Sequence, residues 1–170
     1  MITNVLVEHP WLSPAALCLL VVLGPVVGTW LVHRPRTAWV LTGISLLPVA
    51  FLTLVPVDRV LFERCTVEWA FPTPSRVELM ANVVLFVAPV LLAGVATRRP
   101  LSALVAGSVL SFALEVVQAL VPALGRSCST GDWSSNTIGA VLGAALAWAA
   151  LRLVRGTRPR ARWSSLRRPG

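Results

Sequence analysis

An all-α membrane protein of about five transmembrane helices is predicted by three features of this sequence. Of its 170 residues, 56% are hydrophobic and only 13% charged, whereas soluble domains carry about 25% charged residues. The apolar residues gather into five runs, each close to the roughly 20 residues with which a helix crosses about 30 Å of hydrocarbon. The charges gather at the ends of those runs, and every one of the fifteen basic residues is arginine. A β-barrel is excluded, because its strands would be shorter and would alternate apolar with polar positions.

The first predicted helix covers 13–32. It lacks the basic start of a signal peptide and runs almost directly into another apolar segment. Gly24 and Gly28 give it a face on which another backbone can approach closely, and Pro25 predicts a bend. A turn at 33–36 leads into helix 2 at 37–57, so the two read as an antiparallel hairpin. The long connection 58–78 holds Pro72, Pro74 and the mixed-charge run "DRVLFERCTVEW", which fits a short interfacial helix. Helices 3 (79–97) and 4 (101–121) form a second hairpin around a turn at 98–100. A loop at 122–135 precedes helix 5 (136–154), where Gly139, Gly143 and Ala147 form a second small-residue face. The chain therefore divides into an outer tail at 1–12, a transmembrane domain at 13–154 and a basic tail at 155–170, the last expected to be poorly ordered.

Charge sets the expected orientation. Arg34, Arg36, Arg98, Arg99 and the seven arginines from Arg152 to Arg168 fall on one side, with no acid among them. On the other side Arg59, Arg64, Arg76 and Arg126 are mixed with Glu8, Asp58, Glu63, Glu68, Glu78 and Asp132. Positive loops stay cytoplasmic, which predicts an outside N-terminus and an inside C-terminus. The basic tail has Trp163 as its one aromatic and no binding module, so nucleic acid is not an expected partner. Attraction to anionic headgroups is expected of it.

The stretch "EVVQALVPALGRSCSTGDWSSNTIG" concentrates the chemistry. Glu115 and Gln118 lie about 9 Å and 4–5 Å below the outer end of helix 4, at 1.5 Å per residue. With Ser108 and Ser111 they line one helical face, costly against lipid and so expected to face the bundle. Arg126 and Asp132 fall in the following loop, while Asn82 and Asn136 open helices 3 and 5 at the same shallow depth. These six (Asn82, Glu115, Gln118, Arg126, Asp132 and Asn136) are the candidate ligand-binding residues. Simpler roles stand beside that one: Asp132 or Ser135 as a helix cap, the asparagines as ties between helices, and Arg126 as the neutraliser of Glu115 or Asp132. A carboxylate within an apolar helix is a functional candidate by default, which makes Glu115 the candidate general acid or base. His9 and His33 fall on opposite sides, so neither a histidine triad nor a histidine metal site is expected, and no cofactor motif is present. Cys18 lies within helix 1. Cys65 and Cys128 both fall in outer loops, which predicts a disulfide across that face.

The order Asn82, Phe86, Pro89, then Glu115-x-x-Gln118, Arg126, Asp132, Asn136, Gly139 and Gly143 resembles the VanZ-like membrane proteins. The resemblance covers about 76–154 and is most specific from Arg126 to Gly143. The sequence departs from the pattern at Val90, where the family usually continues Pro-Leu-Gly, and in a slightly long spacer between Gln118 and Arg126. The resemblance implies a helical membrane fold and a cell-envelope context, the family being named for an accessory protein associated with reduced teicoplanin susceptibility. Together these readings predict an outer-leaflet polar pocket for an anionic lipid or a lipid-linked cell-wall intermediate. The alternatives are a membrane-embedded enzyme using Glu115, and a purely structural partner subunit.

Overall fold

The computed structural model describes residues 8–57, 64–69, 72–73 and 76–156. Among them are five long helices: α1 (Leu12–Leu31), α2 (Pro35–Leu54), α3 (Val77–Thr97), α4 (Pro100–Leu120) and α5 (Thr130–Gly156). All five are long and apolar enough to cross a membrane, so the protein is a multi-pass helical membrane protein. Two short strands, β1 (Cys65–Thr66) and β2 (Cys128–Ser129), pair in parallel, and a 3-10 turn spans Pro122–Leu124. The interfacial helix expected in the α2–α3 connection falls partly on 58–63, outside the described residues. The rest of that run contributes β1 instead. The first seven residues and the arginine-rich tail from 157 also lie outside the described residues.

Local chemistry explains several helix ends. Pro35 and Pro100 occupy the first turns of α2 and α4, where a missing N–H costs nothing and φ is already helical. Helix α3 closes with Arg98 in the left-handed conformation, φ 56°, two residues before Pro100. The large departure from expectation is α5, which begins at Thr130 rather than at 136. The run "TGDWSS" is rich in turn formers and carries no apolar period, so it reads as loop. In the fold, Ser129 Oγ accepts a hydrogen bond from Gly131 N at 3.1 Å, which caps the helix ahead of that run. Asp132 therefore lies in the first turn of α5 and not in a loop.

Helix α3 is the centre of the bundle and touches all four others. More than half of its apolar span is buried, against 17% for α1 and for α2. Its main neighbour is α5, which approaches through Gly139 and Gly143. A Cβ at Gly139 would overlap the Val83 carbonyl oxygen, and one at Gly143 would lie 2.5 Å from that of Val87. Close backbone approach matters in lipid, where apolar side chains gain nothing by leaving solvent and packing supplies the attraction. The small face continues past Ala147, packed on Gly94, to Ala150, packed on Gly28 of α1. Helices α1 and α2 scarcely touch each other despite their short turn; α1 lies on α3 and α5, and α2 on α3. Their hairpin is one of chain direction alone.

The two ends of the bundle differ. The arginine end carries the 33–36 and 98–100 turns and the end of α5. There Arg34 stacks over Trp30 at 4.2 Å and Arg152 over Trp148 at 4.7 Å, an arrangement suited to the membrane–water interface. The loop end carries β1, β2 and the start of α5.

Candidate functional site

The loop end is organised around the beginning of α5. Glu115, half-buried on α4, accepts a hydrogen bond at Oε2 from Ser129 N at 2.7 Å. Ser129 immediately precedes α5, so the carboxylate sits at the positive end of that helix. Glu115 Oε1 makes no hydrogen bond among the described residues. From α3, Asn82 Nδ2 donates to Asp132 Oδ1 at 2.7 Å and ties α3 to α5. Asp132 is an electrostatic neighbour of Glu115, and Glu78 and Glu68 are charged neighbours of Asp132 in turn.

Gln118 and Arg126 face the other way, toward the end of α2. Gln118 is buried, and its Nε2 donates to the Thr53 carbonyl at 3.1 Å. That carbonyl belongs to the last turn of α2, which has no partner of its own within the helix. Arg126 Nε donates to the Val55 carbonyl at 3.2 Å, placing a cation at the negative end of α2. Glu115 and Asp132 thus find described partners in Ser129 and Asn82, not in Arg126. The two groups of polar side chains meet on α4, where Glu115 and Gln118 are one turn apart.

Asn136 lies deeper than expected. Its Nδ2 donates to Ser111 Oγ at 2.9 Å, and Ser111 is four residues, about 6 Å, further into the membrane than Glu115. Ser108 and Thr137 share a hydrogen bond of 3.0 Å near the same level. Trp133 Nε1 reaches the Ser108 carbonyl at 3.4 Å, and its ring meets Phe112 edge-on. Ser108, Ser111 and Glu115 therefore face α5 in successive rungs, while Gln118, the outermost member of the stripe, turns to α2. Two buried oxygens at this junction, Ser135 Oγ and Asn136 Oδ1, have no hydrogen-bond partner among the described residues.

A strap crosses the start of α5. Cys65 and Cys128 are joined by a disulfide, with Cα atoms 4.6 Å apart. Cys128 N donates to the Arg64 carbonyl at 2.9 Å. Thr130 Oγ1 accepts from Glu68 N at 2.8 Å and donates to the Glu68 carbonyl at 2.9 Å. The exposed pair Arg76–Glu68, 2.8 Å, adds little. Among the described residues no three His, Cys, Asp or Glu side chains are placed to hold a metal ion.

Sequence reasoning missed Ser129, Thr130 and Thr137, along with the accepting carbonyls of Thr53 and Val55. Thr137 was findable as the residue four beyond Trp133 on one helical face, once α5 is known to start early. The carbonyls carry no side-chain signature at all.

The family model for VanZ/LLP1 matches residues 12–153, which takes in all of α1 to α4 and nearly all of α5. The chain belongs to the VanZ/LLP1 family. No curated protein and no solved structure matches it. In this VanZ/LLP1 protein the match extends well N-terminal of Asn82, so α1 and α2 are part of the family's unit along with the polar end.

Proposed function

We propose that this VanZ/LLP1 protein sits in a bacterial plasma membrane with its loop end outside, where it binds the headgroup of an amphipathic ligand. The ligand class is a membrane lipid or a lipid-linked cell-wall intermediate, and the same role connects the protein to reduced teicoplanin susceptibility. The observation carrying this reading is Glu115: a half-buried intramembrane carboxylate fixed through one oxygen, with the other making no hydrogen bond among the described residues. Such an oxygen accepts from the hydroxyl or amide hydrogens of a sugar or peptide headgroup. Arg126 supplies the planar guanidinium that suits phosphate oxygens. Retaining an ionisable group in a membrane helix is costly, which favours a role beyond packing.

A structural role is favoured by a separate observation, that all six candidate side chains also make hydrogen bonds within the protein. The Glu115→Gln variant separates the readings. Glutamine still offers a carbonyl oxygen to Ser129 N, so a purely structural role leaves this variant close to wild type. Native mass spectrometry of the protein from mild detergent supplies the readout. Wild type should retain a lipid-linked or phosphate-bearing species, with Arg126→Ala losing most of it and Glu115→Gln part of it. Turnover abolished in Glu115→Gln with binding intact would point to catalysis instead. Wild type free of bound amphiphile overturns the binding reading.

A further inference from the structure

A second site lies at the opposite end of the bundle, independent of the polar cluster. Helix α2 leans on α3 and barely reaches α4, leaving a crevice of about 210 Å³ between the three helices. Trp39, Thr42, Phe86, Pro89, Ala106 and Leu110 are among its walls. The wall is apolar even where it carries a hydroxyl, because Thr42 Oγ1 donates to the Ala38 carbonyl of its own helix at 2.8 Å. The crevice runs from Trp39 to Leu46 along α2 and from Ala103 to Leu110 along α4, about 10 Å at 1.5 Å per residue. Phe86, packed with Val49 and Leu114, closes it toward the loop end. Its width comes from small side chains, Ala93 on α3 with Ala103 and Ala106 on α4.

The mouth at the arginine end is charged. Arg36, in the first turn of α2, lies three residues before Trp39, and Arg99, the residue that precedes α4, lies four before Ala103, so both cations belong to the end of the crevice nearest the turns. The neighbouring arginines are engaged elsewhere: Arg34 stacks on Trp30, and Arg98 Nη2 donates to the Val32 carbonyl at 3.3 Å. Arg36 and Arg99 are exposed, and their side chains make no hydrogen bond or ion pair among the described residues. Trp39, 53% exposed, adds an indole N–H at the same level, where amphipathic rings meet headgroups.

We propose that this crevice binds one acyl chain of an anionic phospholipid from the leaflet at the arginine end, with the lipid phosphate held between Arg36 and Arg99. An apolar slot open to the bilayer must be filled, since a void forfeits contacts on one side. Any lipid chain could fill it. Charge at the mouth selects the headgroup.

The test uses the full-length protein in mild detergent, exchanged with equimolar phosphatidylglycerol and phosphatidylcholine, with retained lipid read by native mass spectrometry. Two arginines at roughly 1 kcal/mol each give wild type about a thirtyfold preference for the anionic lipid. The double variant Arg36→Gln/Arg99→Gln should lose that preference and still retain lipid. Ala106→Phe, which fills the slot from a lipid-exposed position, should lose the retained lipid while eluting as a folded monodisperse species. The tail arginines are the same in every variant, so differences between variants report the crevice. Equal retention of the two lipids by wild type, or undiminished retention by folded Ala106→Phe, overturns the proposal. Should the double variant fail to fold, Arg36→Gln and Arg99→Gln replace it singly, each expected to lower the preference about fivefold, and an unchanged preference in both overturns the proposal; should Ala106→Phe fail to fold, Ala106→Leu takes its place with the same expected loss of lipid.

Discussion

Alanine at Gly139 perturbs a close approach between α5 and α3, the tightest at any described glycine. The added methyl would overlap the Val83 carbonyl oxygen and lie 3.0 Å and 3.1 Å from the Val83 carbonyl carbon and Cα. All three are backbone atoms, which no rotamer change can move. At the milder Gly143 the corresponding oxygen is 2.5 Å away, where ordinary contact begins at 3.4 Å. Relief at Gly139 therefore needs the two helices to part locally by about 1 Å. Asn82 adjoins Val83, and its 2.7 Å bond to Asp132 would lengthen to about 3.7 Å, no longer a hydrogen bond. Overpacking costs about 1–3 kcal/mol and an interhelical hydrogen bond in a membrane about 0.6 kcal/mol, so Gly139→Ala should destabilise by about 2–4 kcal/mol. The assay is unfolding of the purified protein by SDS in mixed micelles, comparing midpoints. Gly43→Ala is the control, since nothing lies within 4 Å of a Cβ there. A Gly139→Ala midpoint indistinguishable from that of Gly43→Ala would refute the close-packing account.

Two further outcomes follow from charge and from the strap. A C-terminal reporter that works only in the cytoplasm should be active, and protease accessibility of the tail from outside intact cells would reverse the proposed orientation. Alkylation of the denatured, unreduced protein should label Cys18 alone, with Cys65 and Cys128 becoming reactive after reduction; labelling of all three without reductant would remove the strap.

The five spans were legible because a 20-residue apolar run has few other uses, and helix ends at Pro35 and Pro100 fell within two residues of expectation. The inward face of α4 was legible too, since Ser108, Ser111 and Glu115 repeat at helical spacing and lipid would penalise them. The start of α5 was not legible. "TGDWSS" has the composition of a loop, and it is helical because Ser129 caps it while Asn82 and the Ser108 carbonyl take the side chains of Asp132 and Trp133. Those partners are far away in sequence. The same blindness covers Gln118 and Arg126: their residue types suggested a ligand, and their described acceptors are main-chain carbonyls at the end of α2. A backbone acceptor leaves no trace in the identity of its residue.

The near absence of contact between α1 and α2 bears on how the protein is made. Synthesis delivers these two helices to the membrane before α3, α4 and α5, yet neither can hold the other there. The surfaces that receive α1 are Leu91 on α3 and Leu146 and Ala150 on α5, which emerges after the other four. Cys128, which closes the strap, is also among the late residues, just ahead of α5. Insertion and assembly are therefore separate events in time for this chain: α1 crosses the bilayer before either of its partners exists, and the surface that receives it is completed only when α5 joins α3.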